Sequence, residues 1–572
     1  MSLKADLTPL LRGEIYDDPQ HLDAASRDAS LFEVLPKLVV APTDSADLQN
    51  LLRFIIDHPE RKLTITPRSA GTDMSGGPLT EGIVLDMLPH FDKILEIGKD
   101  FAITEPGVFY RDFEKETLKH KLLLPPYTAS RQLNTVGGMV GNNSAGEKTL
   151  AYGKTDRYVK ELNVILADGN EYVIGPLSRH QLEEKMKQDD FEGRLYKQLF
   201  ELIDTNYEKI QAAKPKVSKN SSGYYLWNVW NRDTGIFDLT QLITGSQGTL
   251  GIVTKIKFSL IKPHTHSRML VIFLKDLNGL GNLVNKVLEF KPESFESFDD
   301  HTLKFAIRFM PEMAKAMSGN LISLGLSFMP EVLMLLKFGG LPKLMLMAEF
   351  TGMTDKQVID QAAAAKAAIE PFGLNSLVTH SEQEGRKYWT IRRESFNLLR
   401  KHVRGLHSAP FIDDVAVLPS QLPEFLPELE AIMGHYKLIY TIAGHIGDAN
   451  FHIIPLMDLE DPQTQVIVPK LSREVYDLVL RYGGTISGEH NDGLIRTPYV
   501  LDMFGHDIYN LFVKTKDIFD PTRMFNPGKK VRGNLKWSLK HFVDDKHIKG
   551  DDKTGRWNIA KEGTPTELAR TR

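Results

Sequence analysis

The chain has 572 residues, 42% of them apolar and 25% charged, with a formal net charge of -4. That length predicts two or three domains, and the near-neutral charge excludes a general attraction to nucleic acid. No cysteine is present, which excludes disulfides, thiolate nucleophiles and a cysteine-ligated iron–sulfur cluster carried by these residues. The first residues lack the apolar core of a signal peptide, so a cytoplasmic location is expected.

The first glycine-rich loop follows a pattern of short strands and one helix. Residues 1–36 are interpreted as an N-terminal arm, and the next helix has an apolar face of Leu48, Leu51, Leu52, Ile55 and Ile56. A strand at 63–66 then enters the loop 67–77, whose amides and hydroxyls could cradle a pyrophosphate. A plain glycine-rich connection is the alternative, and the strand–GxGxxG–helix context of a nicotinamide site is missing.

Two further loops of this kind follow. The stretch 135–146 is dense in Gly and Asn, and Tyr152 and Gly153 close it. The stretch 162–174 carries the Asp-Gly signal of a hairpin. A third loop, within 239–254, enters another predicted strand.

Residues 305–348 are unusually rich in methionine. The methionines are Met310, Met313, Met317, Met329, Met334, Met345 and Met347. One interpretation is a surface for a membrane or a partner, and the other, which we favour, is helices packed inside a domain. Interspersed charges and prolines exclude a membrane-spanning helix here.

The segment 441–453 suggests a metal site. His445 and His452 flank the turn 447–450, and the apolar residues after the turn predict a strand. A turn of this kind allows the two imidazoles to converge, as ligands of zinc or a similar ion do. Each histidine alone is better explained as a hydrogen-bonded loop residue. The Glu489-His490 pair, in a second glycine-flanked loop, favours the metal site.

Together these motifs resemble a known flavoprotein family. The three loops resemble the FAD domain of the vanillyl-alcohol oxidase (PCMH-type) flavoproteins. The segments 389–394, 412–415, 444–452, 488–490 and 525–529 resemble the C-terminal half of the FAD-linked D-2-hydroxyacid dehydrogenases. The resemblance implies an α+β fold: a PCMH-type two-subdomain FAD-binding domain (37–263), an α+β FAD-linked oxidase C-terminal domain for substrate and metal (264–530) and a charged tail (531–572).

The resemblance also implies particular site residues. FAD, held without a covalent bond because the first loop lacks histidine, would contact Arg68, Ser69, Ala70, Gly71, Thr72, Ser75, Gly137, Gly138, Asn142, Asn143, Gly146, Gly153, Gly248, Gly251, Ile252 and Val253. His445, His452 and Glu489 would bind a divalent metal, with zinc expected first and manganese as the alternative. His490 would be the base, and Arg392 would grip the substrate carboxylate, although stacking on Trp389 is an alternative role for it.

The implied reaction is oxidation of a D-2-hydroxyacid, D-lactate or D-2-hydroxyglutarate, to the 2-oxoacid. Asp448 or Asp492 is expected to orient the imidazoles. Electrons would pass to a separate acceptor, an iron–sulfur protein, a cytochrome or quinone, and a peripheral contact with the inner face of the membrane is left open. The alternatives are an oxygen-using oxidase of the glycolate type and a non-catalytic flavin subunit.

The chain departs from the family pattern at four positions. Asp73 stands where a glycine is usual in the first loop, and Gln247 replaces a common glutamate. Ile412 and Ile454 stand where animal-type D-2-hydroxyglutarate enzymes use Lys and Asn. The choice of substrate therefore stays open.

Overall fold

A computed structural model describes residues 2–300, 302–304, 341–402 and 406–543. The methionines from Met310 to Met334 and the tail beyond residue 543 lie outside the described residues. Met345 and Met347 lie within them, on a buried strand.

The strands are β1 (Glu14–Tyr16), β2 (Leu38–Ala41), β3 (Ile65–Arg68), β4 (Ile83–Asp86), β5 (Ile94–Ile97), β6 (Phe101–Thr104), β7 (Val159–Ile165), β8 (Glu171–Ile174), β9 (Pro176–Ser178), β10 (Trp230–Asn231), β11 (Ile236–Asp238), β12 (Ile252–Ser259), β13 (His266–Leu274), β14 (Ser294–Asp299), β15 (Leu344–Gly352), β16 (Asn375–Val378), β17 (His407–Ser408), β18 (Val415–Ala416), β19 (Ile439–His445) and β20 (Asn450–Met457).

The α-helices are α1 (Leu3–Leu7), α2 (Pro19–Ala25), α3 (Ser45–Asp57), α4 (Tyr110–Lys119), α5 (Val136–Asn142), α6 (Thr149–Tyr152), α7 (Arg179–Lys185), α8 (Phe191–Thr205), α9 (Tyr207–Ala212), α10 (Leu226–Val229), α11 (Thr240–Ile243), α12 (Leu280–Leu288), α13 (Asp355–Ala368), α14 (Glu382–His402), α15 (Leu422–Gly434), α16 (Pro462–Arg481), α17 (Gly493–Arg496), α18 (Val500–Phe519) and α19 (Leu535–Leu539). Short 3-10 helices lie at Pro59–Arg61, Thr155–Arg157, Glu370–Phe372, Pro419–Gln421, Ile446–Asp448 and Thr497–Tyr499.

The first half of the chain builds two larger sheets. One has the order β1-β2-β4-β3, with parallel pairs around β4, and the other is antiparallel with the order β5-β6-β12-β7-β8. The predicted hairpin is confirmed, since Ile165 pairs with Glu171 across the Asp-Gly turn. The segment predicted to be an N-terminal arm supplies β1, which extends the first sheet at its edge.

Helix α3 confirms most of its predicted apolar face. Leu48, Leu51, Leu52 and Ile55 enter the core of the first sheet. The prediction for Ile56 is wrong, because its side chain is 37% exposed. At 100° per residue, Ile56 lies at the margin of the stripe that the other four define.

The second half is organised on one large antiparallel sheet, ordered β16-β13-β15-β14-β19-β20-β17, with β18 beside β20. Helices α12, α13, α15 and α16 contribute side chains to the apolar core on one face. On the other face a smaller apolar cluster joins β13, β14 and β15 to residues 388–391 of α14. Glu296 and His445 occupy neighbouring strands of this sheet, because Ser297 pairs with Gly444.

The end of the described chain returns to the two sheets of the first half. Side chains of α18 pack into the core of the second sheet, and Phe525 lies beside Ile65 of β3. The ammonium of Lys516, on α18, contacts the carboxylate of Asp520 at 2.6 Å and the carbonyl of Phe525 at 2.7 Å. It also donates to the carbonyl of Thr249 in the third glycine-rich loop at 2.5 Å. The segment 516–526 thus anchors this loop through one buried ion pair.

We predict that Lys516→Met destabilises the protein by about 3–5 kcal/mol, because it leaves the carboxylate of Asp520 buried and without its cation. The urea midpoint of unfolding, followed by tryptophan fluorescence, measures this. Lys514→Met is the matched control, since Lys514 is exposed on the same helix. Equal midpoints for the two variants would contradict the anchoring role.

Candidate active site

Two of the proposed metal ligands lie on one β-hairpin. β19 ends at His445, the 3-10 helix Ile446–Asp448 follows, and β20 carries His452. The strand predicted after the turn is therefore confirmed. Ala449 adopts φ +45, which completes the tight reversal of the chain. Because His452 pairs with Ala443, both imidazoles reach the same end of the sheet.

Three imidazoles converge on one carboxylate oxygen. Oε1 of Glu489 lies 3.3 Å from Nε2 of His445 and 3.1 Å from Nε2 of His452. It lies 3.7 Å from Nε2 of His490. The ligand atoms of His445, His452 and Glu489 are all within 4.8 Å of one another. Two imidazoles and one carboxylate form a donor set that suits zinc or manganese.

A completely buried carboxylate stands behind two of these rings. Asp413 Oδ1 lies 3.1 Å from Nδ1 of His452, and its Oδ2 lies 2.5 Å from Nδ1 of His490. An acceptor at Nδ1 holds the proton there and leaves the lone pair on Nε2. Both Nε2 atoms are thereby directed toward Glu489. Asp413, His452 and His490 also lie close enough to form a second cation-sized group, but both carboxylate oxygens of Asp413 are occupied by the rings.

Glu296 plays the corresponding part for His445. Its Oε1 lies 2.5 Å from Nδ1 of His445, and its Oε2 lies 2.6 Å from Nε of Arg392. The guanidinium that lies over the Trp389 ring, at 4.8 Å, belongs to Arg393. Arg393 also pairs with Glu147 beside the second glycine-rich loop at 2.5 Å. Stacking on tryptophan is therefore the role of Arg393.

The expectation that Asp448 or Asp492 orients the imidazoles is wrong. Asp448 accepts from Ser218 at 2.6 Å, and Asp492 accepts from Ser222 at 2.5 Å. Asp492 also pairs with Lys530 at 2.8 Å. Both carboxylates lie close to the histidines in sequence, but tertiary packing turns them toward other segments.

Asp414 fixes the loop that presents Glu489 and His490. Its carboxylate accepts from the backbone amides of Glu489 at 2.9 Å and His490 at 2.7 Å, and from Ser487 Oγ at 2.8 Å. Asp414 itself adopts φ +70. Sequence reasoning treated the Asp413-Asp414 pair only as part of a family motif, although two adjacent acids in an apolar segment were the available signal.

Lys219 is a further residue that sequence reasoning missed. Its side chain is completely buried, and its ammonium lies 3.2 Å from Oε2 of Glu489 and 3.7 Å from Asp448. It also donates to the carbonyl of Gly146 in the second glycine-rich loop at 3.4 Å. Lys219 therefore neutralises the Glu489 oxygen that faces away from the imidazoles.

These contacts shift the pKa values of the cluster. Burial would lower the pKa of His452, but the carboxylates of Asp413 and Glu489 outweigh it and raise that pKa to about 10. Burial would also lower the pKa of His490, but the carboxylates of Asp413 and Asp414 outweigh it and raise that pKa. Burial would raise the pKa of Glu489, but Lys219 and His445 hold it well below its usual range. The carboxylates are therefore ionised, and a bound cation would displace protons from the imidazoles.

The three glycine-rich loops meet through their polar side chains. Asn142 donates to Asp73 at 3.2 Å, and Gln247 donates to Ser75 at 3.2 Å and to Asn142 at 3.3 Å. The two departures noted from the sequence, Asp73 and Gln247, are thus members of one hydrogen-bonded network. This network draws the three loops around a common space.

The first loop has the free donors that a pyrophosphate requires. Within the described part of the chain, none of the backbone amides from residue 69 to residue 75 donates a hydrogen bond to a protein atom. An added Cβ at Gly138 would meet nothing closer than Thr135 Oγ at 3.5 Å. Buried Thr244 Oγ, beside the third loop, also has no partner among the described residues. Consecutive free amides and an open glycine fit a phosphate-bearing cofactor.

Other predicted FAD contacts have structural duties as well. The guanidinium of Arg68 donates to the carbonyls of Ala25 at 3.3 Å and Arg27 at 2.6 Å. Gly248 adopts φ +69, and an added Cβ would collide with Pro67. Ile252 lies in the apolar core, so any contact it makes with a cofactor would use its backbone.

The loop that carries Glu489 continues directly among the FAD loops. Asn491 donates to the carbonyl of Gly245 at 2.9 Å, and the amide of Gly493 donates to Gln247 at 2.9 Å. The amide of Leu494 donates to the carbonyl of Ser75 at 2.8 Å. The histidine cluster and the candidate cofactor loops therefore form one continuous site.

Comparisons with known proteins identify the class of this fold. The 4-ethylphenol oxidase of Gulosibacter chungangensis superposes with a TM-score of 0.64 at 15% identity, over 91% of this chain and 95% of that protein. At that identity the likeness concerns the fold alone, which is the α+β fold of the PCMH-type flavoproteins with a C-terminal domain of the FAD-linked oxidase type.

Two family models cover most of the chain. The FAD binding domain matches residues 36–175, and the FAD linked oxidases, C-terminal domain, matches residues 263–530. The chain therefore contains the two domains that these models describe, an FAD binding domain and the C-terminal domain of the FAD linked oxidases.

Two curated relatives extend this comparison. D-2-hydroxyglutarate dehydrogenase of Pseudomonas putida is 28% identical over 91% of this chain and 50% of its own length. D-lactate dehydrogenase of Archaeoglobus fulgidus is 24% identical over 88% of this chain and 96% of its own length. The chain spans about half the length of the first curated relatives it matches.

Among the described residues, no helix has the length and apolar character needed to cross a membrane.

We predict that Gly138→Ala lowers flavin affinity roughly ten- to a hundredfold, the equivalent of about 1–3 kcal/mol of overpacking. The protein alone has room for the methyl group, and alanine favours the helix, so a loss of flavin would report the bound cofactor. The flavin-to-protein absorbance ratio after dialysis measures it. Gly434→Ala is the control, because an added Cβ there meets nothing within 4 Å. Full flavin retention in Gly138→Ala would contradict a cofactor position against this helix.

Proposed function

We propose that this protein is an FAD-dependent dehydrogenase that oxidises a D-2-hydroxyacid, D-lactate or D-2-hydroxyglutarate, to the 2-oxoacid. The observation that carries the proposal is the convergence of three imidazole Nε2 atoms on Oε1 of Glu489, in a loop that continues into the cofactor loops. The relatives named for D-2-hydroxyglutarate and D-lactate dehydrogenation support the substrate class.

Each bound group would supply one kind of chemistry. FAD, held by the three glycine-rich loops, would accept the hydride from Cα, and a divalent ion on His445, His452 and Glu489 would lower the pKa of the substrate hydroxyl. Proton removal and the binding of the substrate carboxylate are assigned to side chains of this chain.

His490 is the proposed base. Its Nδ1 is held by Asp413 at 2.5 Å, so Nε2 is the nitrogen that receives the hydroxyl proton. The raised pKa of His490 would keep the ring protonated in the absence of a cation. A divalent ion nearby opposes that protonation, because like charges disfavour each other. The ion and the base therefore act together.

Arg392 is the proposed partner of the substrate carboxylate. Its side chain is nine-tenths buried, and its ion pair with Glu296 is formed at Nε, at 2.6 Å. The two Nη groups keep a planar pair of donors that matches a carboxylate in bidentate fashion. Arg393 is held by Glu147 and Trp389, so of these two neighbouring arginines Arg392 is the better candidate.

The electron acceptor is proposed to lie outside these residues. An iron–sulfur protein, a cytochrome or quinone would each serve, and the absence of cysteine from the sequence means that a cysteine-ligated cluster would have to be supplied from elsewhere.

The direct test is anaerobic mixing of the holoprotein with D-lactate, D-2-hydroxyglutarate or glycolate, with L-lactate as the stereochemical control. Loss of the yellow flavin absorbance with a D-2-hydroxyacid is expected. Unchanged absorbance with every substrate would overturn the proposal, and stoichiometric peroxide in air would identify an oxidase instead.

We predict that His490→Ala slows flavin reduction by roughly a hundred- to ten-thousandfold, the usual contribution of a general base. Flavin content should stay that of the wild type, because the hydrogen bond and ion pairs recorded for the His490 ring are with Asp413 and Glu489. Stopped-flow absorbance under nitrogen measures the rate. His435→Ala, at an exposed position after α15, serves as the control. Flavin reduction by His490→Ala at the rate of the wild type would exclude His490 as the base.

We also predict that dialysis against a chelator abolishes substrate-dependent flavin reduction without releasing flavin. The ligand set would then be empty while the loop amides still hold the cofactor. Addition of zinc or manganese should restore the rate, and magnesium, which prefers oxygen ligands, should not. A metal-free sample with full activity would refute the role of the cation.

A further inference from the structure

Glu296 lies between two groups that the proposed function places at opposite ends of the substrate. Its side chain is completely buried on β14, which brings it next to His445 of β19. One carboxylate oxygen contacts Nδ1 of His445 at 2.5 Å, and the other contacts Nε of Arg392 at 2.6 Å. A single side chain therefore joins the candidate metal ligand to the candidate carboxylate-binding arginine.

We infer that Glu296 is a positioning residue that sets the metal-binding nitrogen of His445 and the orientation of Arg392 together, a role that rests on the function proposed above. It touches neither substrate nor flavin in this role. It acts through its two partners, and it fixes the distance between the cation and the donors that hold the substrate carboxylate.

The contact with His445 decides which ring nitrogen is free. An anionic acceptor at Nδ1 keeps the proton on that atom, so Nε2 retains its lone pair. That Nε2 is the atom 3.3 Å from Oε1 of Glu489. Without the acceptor, the ring could rotate or exchange its tautomer, and the ligand set would lose one of its nitrogen donors.

The contact with Arg392 decides how the guanidinium is presented. Because the ion pair with Glu296 is formed at Nε, the Nη pair is the part of the guanidinium left for a second carboxylate. A rigid guanidinium loses less freedom when it binds than a mobile one, which is how such a contact contributes to affinity. The apolar side chains of Tyr388, Trp389 and Ile391 hold this part of α14 against the sheet.

An amide cannot replace this carboxylate at both contacts. Glutamine has the size of glutamate but only one acceptor oxygen and no charge, so it would either turn its amino group toward the Nδ1 proton of His445 or leave the guanidinium of Arg392 without its anionic partner. Glu296→Gln therefore disturbs both partners while it preserves packing. Glu349→Gln is the matched control: Glu349 lies on the adjacent strand β15, opposite Ser294 of β14, and burial raises its pKa to about 7, so an amide suits its surroundings.

The experiment has two readouts, of which only one needs turnover. For the metal-free protein, competition with a chromophoric chelator should show zinc binding weakened roughly ten- to a hundredfold in Glu296→Gln. With saturating metal, KM for the D-2-hydroxyacid should rise at least tenfold while kcat falls less. Glu349→Gln should match the wild type in both. Wild-type zinc affinity or wild-type KM in Glu296→Gln would overturn the shared role.

Two more variants separate positioning from general damage. Glu296→Asp keeps the charge but draws the carboxylate back, so it should show both changes in weaker form; no change in either would contradict the inference even if Glu296→Gln failed to fold. Arg392→Met should raise KM, and adding Glu296→Gln to it should raise KM no further. An additive increase would mean that Glu296 affects the substrate by another route.

Failure of the proposed function would look different. A wild-type protein that binds zinc but is bleached by no hydroxyacid would remove the dehydrogenase and with it the substrate half of the role of Glu296. The chelator competition on the metal-free protein would still decide whether Glu296 positions His445 for metal binding.

Discussion

The structure depends on a dense group of buried charges whose members all have partners. Glu489 faces three imidazoles through one oxygen and Lys219 through the other. Isolated buried charges cost several kcal/mol each, and that cost is offset only when geometry and hydrogen bonds are good. Asp413, Asp414 and Glu296 provide those hydrogen bonds. This cost in stability accompanies a fixed orientation of the three imidazoles, because each ring is held at Nδ1 and presents Nε2.

The same constraint explains why the second half of the chain is so closely interleaved with the first. The residues after Glu489 donate to each of the three glycine-rich loops, and Lys219 and Lys516 tie second-half carboxylates to loop carbonyls. The sequence motifs place the end of the second domain near residue 530. Side chains of α18, which lies before that boundary, nevertheless pack into the core of the second sheet in the first half of the chain. The candidate cofactor loops and the candidate metal ligands therefore cannot shift independently, which the proposed hydride transfer would demand.

Particular residues show where sequence reasoning succeeded and where it failed. The convergence of His445 and His452 was predictable, because a turn of Gly, Asp and Asn between two histidines allows the chain to reverse and bring both rings together. The orienting acids were not predictable. Asp448 and Asp492 are near the histidines in sequence, whereas Glu296 comes from β14 and Asp413 from the segment before β18, and only the tertiary fold brings them behind the rings. Arg392 and Arg393 could likewise be told apart only by the direction of each side chain from α14.

The sequence by itself determined which local motifs the chain carries, and these motifs were enough to propose the class of chemistry. The motifs are local: three backbone-exposing loops, two histidines around a turn and a Glu-His pair. Local motifs can be recognised in a sequence because turn geometry and ligand type depend on residue identity. The tertiary structure alone decided which acids serve which imidazoles, how Lys219 joins the cofactor loop to Glu489, and that Glu296 has a partner on each oxygen. These contacts join residues that are far apart along the chain. The periodicity of a sequence predicts local strands and helices, but it does not predict which strands pair or which side chains meet across them.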